Sequence, residues 1–414
     1  MLEANDMAPL GYHSPSMSRR PRTHVGAIFG GVVVLVVGLA LRTPIISVSP
    51  ILSDIQENYR LGSIAASLLT SLPVLSFGAG AFFAPWLARR FGIERIISLM
   101  MGTIIAGMLL RALWGSVGLF LGTVVLSLGI AVNNVLLPAA IKRHWKRSVG
   151  PLMSTLSVSL ALGPTLAALF TVPSYQLLGA NVRSALLLWI VLPAAGFILF
   201  ETVRSQLTTN SGSIGEAVTT GRGLWREPLA WQVSAYLGLQ SLMFFSVTAW
   251  LPTILHDYGL SPIEAGIGFS AFTLLNIVGS LAYPMIAVKV RQQRGLAAGA
   301  AALWLVGTAG LLLAPTSTAY VWAGIAGLGS GASFSLALTL LVLRTKSAAD
   351  ASSLSGMAQS VGYTLAATGP LLMGWLFEAS GSWTLPLLLL MTVVPLMAVA
   401  GLAAGRALSI DTKG

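Results

Sequence analysis

Apolar stretches long enough to cross a lipid bilayer recur from near the start of the chain to near its end. A hydrocarbon core about 30 Å thick takes about 20 residues of α-helix. Twelve such runs are present, at 25–50, 63–87, 96–113, 117–140, 149–172, 184–203, 228–254, 264–288, 296–315, 318–343, 353–377 and 383–405. Only 9% of the 414 residues are charged, and 55% are hydrophobic. A soluble globular protein carries roughly 25% charged residues. So few charges cannot cover a water-facing surface, and the solvent for most of the chain must be lipid. The fold expected is an all-α membrane protein with twelve transmembrane helices in two pseudo-symmetric six-helix bundles.

The net charge of +11 does not point to nucleic acid, because the basic residues fall in short clusters between apolar runs. One side collects Arg89, Arg90, Arg95, Lys142, Arg143, Lys146, Arg147, Lys289, Arg291, Arg294, Arg344 and Lys346. The other side has only Arg60 and Arg183, with the acids Asp54, Glu57, Asp257 and Glu264. The positive-inside rule then predicts a multi-pass protein of a bacterial-type inner membrane with both termini cytoplasmic. The expected order is a tail (1–24), a first bundle (25–203), a Gly/Ser/Thr-rich cytoplasmic linker (204–227), a second bundle (228–405) and a tail (406–414). The first apolar run is about 25 residues long, against about 7–15 in a signal-peptide core, and is expected to stay as a helix.

The halves share spacing. Tyr59, Leu61, Ile64 and Ala66 enter the second run as Tyr258, Leu260, Ile263 and Ala265 enter the eighth. Gly163-Pro164 in the fifth run has a counterpart in Gly369-Pro370 of the eleventh. Glycines 324, 327, 329 and 331 cluster in the tenth, where small residues let helices approach closely. No glycine pattern leads into the Lys-Ser/Thr of a phosphate loop, which argues against an ATP-driven pump.

The 6+6 layout resembles the major facilitator superfamily. Leu87-Ala88-Arg89-Arg90-Phe91-Gly92-Ile93-Glu94-Arg95 is similar to its loop between helices two and three, with Ala88 near the place of the usual acid. Several segments resemble the cyanate/2-nitroimidazole permease family: Leu69-Thr70-Ser71-Leu72-Pro73-Val74, Asn134-Val135-Leu136-Leu137-Pro138, Gly238-Leu239-Gln240-Ser241 and Ala249-Trp250-Leu251-Pro252. The family's Asn-Leu-Arg-Pro becomes Ala40-Leu41-Arg42-Thr43-Pro44, keeping the arginine, and Leu156 stands where the family has a tyrosine. The resemblance implies transport of a small anion or small polar heterocycle, cyanate- or nitroimidazole-like, by alternating access.

Arg42 lies about five residues past the middle of its run, roughly 7 Å at 1.5 Å per residue. Its side chain leans back toward the membrane centre. An arginine buried there costs about 3 kcal/mol on insertion scales. No Asp or Glu lies deep in any run, so the missing negative partner is expected to be the substrate. Gln240 falls near mid-membrane, with Tyr236 and Phe244 at i−4 and i+4 forming one amide-and-aromatic stripe. Asn134 and its neighbour Asn133, Gln359 with Tyr363, and Asn276 are further polar candidates. Arg111, two residues from the end of its run, is an interfacial anchor or a second positive charge at the cavity mouth. Trp250 is expected in an interfacial aromatic belt.

No Ser/His/Asp grouping, paired carboxylates or metal-ligand cluster falls within the runs, so no enzyme, metal or cofactor is expected. The expected partners are a small anionic or polar aromatic substrate and the bilayer, with no nucleic acid, and the protein is expected to be a monomer. The alternative is a proton-coupled multidrug exporter, although cationic drugs and protons usually compete for a membrane carboxylate. A receptor on a transporter scaffold would need a signalling domain, and only about nine residues follow the last run.

Overall fold

A computed structural model describes residues 26–61, 63–209, 223–313 and 316–410. The expected first tail (1–24), most of the expected linker and residues 411–414 lie outside the described residues. Among the described residues the architecture is all-helical: ten helical elements are long and apolar enough to cross a membrane, and two more, at 63–91 and 348–380, complete two sets of six. In the first half these are α1 (Ala27–Ala40, resumed as Thr43–Ile46), α2 (Ser63–Phe91), α3 (Ile93–Leu113), α4 (Gly115–His144), α5 (Val149–Leu177) and α6 (Val182–Leu188, resumed as Val191–Thr209). In the second half they are α7 (Pro228–Asp257), α8 (Pro262–Ala287), α9 (Arg294–Leu313), α10 (Ala319–Leu343), α11 (Ala348–Ala366, resumed as Thr368–Ser380) and α12 (Thr384–Ala404). A short helix, Leu52–Tyr59, joins α1 to α2.

Each half forms a six-helix bundle. Leu75, Phe82, Leu305 and Leu396 are exposed on the outer faces, where a soluble protein would place charge. Inside the second bundle, α10 lies directly against α8. A Cβ on Gly331 would fall 1.8 Å from the Asn276 carbonyl oxygen, and one on Gly327 2.0 Å from that of Phe272. The glycine cluster therefore sets the distance between these two helices.

The break in α1 follows from Pro44. Proline lacks an N–H and its ring clashes with the carbonyl four residues back. Arg42 leaves helical geometry at φ −127° and ψ −37°. Carbonyls freed in lipid must find other donors. The Thr43 hydroxyl lies 2.7 Å from the Leu39 carbonyl and 3.4 Å from that of Gly163. Arg111 Nη1 donates to the Pro44 carbonyl at 2.7 Å. Gly163 lets α5 approach this turn, since a Cβ there would sit 3.1 Å from the Thr43 hydroxyl and 3.2 Å from the Leu39 carbonyl. The second half repeats the arrangement: Gly369 of α11 packs on Leu242 and Ser246 of α7. Trp250 is not a free belt residue. Its Nε1 donates to the Pro370 carbonyl at 2.9 Å, joining α7 to the second segment of α11.

The basic clusters meet at one end of the molecule. Glu94 bonds His144 at 2.6 Å and pairs with Arg143 at 3.5 Å. Arg344 donates to the Ala404 carbonyl at 2.8 Å and to the Gln293 side chain. Among the described residues, every hydrogen bond between the bundles lies from mid-membrane to this basic end. Ser360 donates to the Gly78 carbonyl at 3.0 Å, Gln359 to the Asn134 carbonyl at 3.2 Å and Ser154 to the Leu281 carbonyl at 2.7 Å. Lys142 of α4 donates to the Val342 carbonyl at 2.6 Å, to the Thr345 hydroxyl at 2.8 Å and to the Thr345 carbonyl. An ammonium on the last carbonyls of α10 also meets the negative end of that helix dipole. The bundles are thus tied together at the basic end.

Removing the Lys142 ammonium should loosen this end. Hydrogen bonds to a charged group contribute about 1.5–3 kcal/mol each. The chain has no cysteine, so a single cysteine at Ser154 reports opening by maleimide labelling. Lys142→Met should raise the labelling rate about tenfold; an unchanged rate would mean that the contact does not hold the bundles closed.

Candidate substrate site between the bundles

Arg42 is half-buried at the break of α1. Its guanidinium carbon stands 5.5 Å from the centre of the Phe77 ring of α2, within cation–π range. Phe77 in turn meets Tyr363 of α11 at 5.9 Å, and Tyr363 meets Phe245 of α7 edge-on at 6.4 Å. One guanidinium and three rings thus form a continuous chain across the two bundles.

Among the described residues Arg42 makes no ion pair and no hydrogen bond from its guanidinium, and the polar or paired carboxylates are engaged elsewhere. Asp54 accepts from Tyr175, Asp257 from the indole of Trp383, and Glu264 closes a capping box on Ser261. Glu94 and Glu201 pair at the basic end with His144 and Arg204.

Amides lie beside the aromatic chain. Gln240 is fully buried on α7. Its Nε2 donates to Ser241 at 2.7 Å, while Oε1 has no protein partner. Gly238 and Gly362 bring α7 and α11 close here, with a Cβ on Gly238 only 3.0 Å from the Gly362 Cα. Gln359 bridges to Asn134 through the backbone and to Ser355 at 2.8 Å. The Asn134 Nδ2 is buried without a partner, and the adjacent Asn133 has both amide atoms unpaired. Unpaired buried amides of this kind suit hydrogen bonds to a ligand or to water.

Other sequence candidates are placed differently. Tyr236 turns to α12, where a Cβ on Gly401 would lie 2.7 Å from its ring. Phe244 meets Phe245 edge-on at 5.3 Å and stacks on Phe272 of α8 at 6.4 Å, so it extends the chain of rings toward α8. The expected single stripe separates because four residues advance a helix by about 400°, so positions i and i+8 differ by about 80°. Asn276 donates to Ser330 at 2.9 Å and so serves the packing of α8 on α10. Arg111 is neither an interfacial anchor nor a charge at an open mouth, because it is wholly buried against the α1 break. Sequence reasoning missed Phe77 and Phe245, since an aromatic in an apolar run gives no signal beyond packing. A surface groove of about 500 Å³ between α3 and α6, with Arg95, Phe197 and Arg204, lies apart from the site.

Residues 31–367 match the Major Facilitator Superfamily. The chain is 40% identical over 374 residues to the 2-nitroimidazole transporter of Escherichia coli strain K12, covering 90% of this chain and 94% of that one. It is 29% identical over 352 residues to the cyanate transport protein CynX of the same organism, covering 85% and 90%. Its fold is similar to that of the proton:xylose symporter XylE, with a TM-score of 0.71 at 14% identity, over 90% of this chain and 94% of that one. The chain is therefore a multi-pass membrane transporter, not an enzyme, and belongs to the Major Facilitator Superfamily.

Proposed function

We propose that this transporter moves a small anion or a small, flat, polar heterocycle, bound between the bundles at Arg42. The observation that carries the reading is a half-buried guanidinium over the Phe77 ring with no carboxylate partner among the described residues. A carboxylate beside it would make it a structural ion pair; without one, the charge favours an anion or an electron-rich polar group. The rings of Phe77, Tyr363 and Phe245 offer a face to a planar solute, and Gln240 and Asn134 offer an amide oxygen and an amide N–H. Two relatives are named for 2-nitroimidazole and cyanate, which are both small and polar.

Both termini are read as cytoplasmic from the clustered Lys and Arg. The structure is then held closed on the cytoplasmic side, and rocking of the bundles about the site would expose it alternately. With no deep carboxylate to relay a proton, either a weakly acidic substrate carries its own proton or transport is uniport.

A thermal-shift screen of the purified protein against cyanate, nitrate, small carboxylates and nitroimidazoles identifies the ligand, because binding to the folded state raises apparent stability. Uptake of that ligand into proteoliposomes tests the site. Arg42→Ala should lower transport tenfold or more, the ratio for losing about 1.5–3 kcal/mol of charged hydrogen bonding. Wild-type uptake by Arg42→Ala would refute the reading. Asn276→Ala provides the contrast. It should lower the unfolding temperature, since a buried bond to Ser330 is worth roughly 1 kcal/mol and its orphaned partner costs more. Its ligand affinity should match the wild type; a loss of affinity at unchanged stability would move Asn276 into the site.

A further inference from the structure

Arg111 is fully buried two residues before the end of α3, remote from the basic end. Only Nη1 is engaged, on the Pro44 carbonyl. Nε and Nη2 have no protein acceptor among the described residues. Asp54, on the same short helix as Tyr59, accepts from Tyr175 at 2.9 Å and forms no ion pair with Arg111. Arg111 also lines a small cavity of about 60 Å³, with Ile45, Val48, Pro73 and Thr123 as walls and exposed Ser49 at its edge. Thr123 commits its proton to the Leu119 carbonyl.

The site therefore has a surplus of donors, a full positive charge and no carboxylate. Water can satisfy N–H groups, but it leaves a buried charge uncompensated, which is the larger cost. A cavity needs roughly 10–15 Å³ to hold one water, so this one has room for a small ion and not for a drug-sized solute. We propose that Arg111 holds a small monovalent inorganic anion of chloride size in this cavity, which neutralises the guanidinium and fastens α1, α2, α3 and α4 at the end of the first bundle. The site is separate from the Arg42 cluster and does not rest on the substrate reading.

The test is thermal unfolding of the full-length protein in nanodiscs without substrate, with sodium gluconate exchanged for sodium chloride at constant ionic strength. The unfolding temperature should rise with chloride and saturate. Arg111→Gln should abolish the dependence. Arg111→Lys, which keeps the charge and removes the guanidinium fork, should raise the half-saturating chloride concentration about tenfold, the ratio for one hydrogen bond to a charged group. Arg111→Lys decides the matter if Arg111→Gln does not fold. Equal unfolding temperatures in gluconate and chloride would mean a hydrated arginine only and would overturn the proposal. Wild-type chloride dependence in Arg111→Lys would place the anion elsewhere and overturn it equally.

Discussion

The interruption of the first transmembrane helix at Arg42–Pro44 is the constraint on which the site depends. A helix broken inside the hydrocarbon layer frees backbone carbonyls that lipid cannot satisfy. Here the Thr43 hydroxyl donates to the Leu39 carbonyl and the Arg111 guanidinium to the Pro44 carbonyl, while Gly163 lets α5 pack on the turn. Those three contacts fix the turn, and the turn aims Arg42 at Phe77 instead of continuing a regular helix face. A positive charge is thereby held at the seam between two bundles by backbone chemistry alone, without an acidic partner to neutralise it.

The same logic links the site to the ends of the molecule. The ring chain Phe77–Tyr363–Phe245 spans the seam at mid-membrane. Below it, Gln359, Ser154 and Lys142 tie one bundle to the other through backbone carbonyls. Bonds to carbonyls can break and re-form without stranding a buried carboxylate, which makes them suitable contacts for a closure that has to reverse. The repeated packing of Gly163 on α1 and Gly369 on α7 gives each bundle the same internal geometry.

Much of this was legible in the sequence because lipid imposes simple rules. Run lengths and the scarcity of charge determine the helices, and the Lys/Arg clusters mark one end. The arginine stood out because nothing in its run could pair with it. The helix breaks were not legible, since Pro138 and Pro252 lie inside unbroken helices, so that Pro44 and Pro370 did not by themselves mark an interruption. The burial of Arg111 depends on that first break, which folds Pro44 and the following turn over the end of α3. Tyr236 and Phe244 diverged because an i, i+4, i+8 spacing drifts around the helix. Phe77 and Phe245 acquire meaning only once Arg42 and Tyr363 are placed beside them.

The central claim is that the Arg42 guanidinium is the anchor for the transported molecule. A structure of the protein with bound selenocyanate tests it most directly, because selenium can be located by its anomalous scattering. The account predicts the anion on the Arg42 side of the bundle seam, within about 2.7–2.9 Å of a guanidinium nitrogen at its terminal nitrogen and with its selenium against the Phe77 ring. A selenium site elsewhere in the seam, with the Arg42 guanidinium on water or on a protein carboxylate, would contradict it.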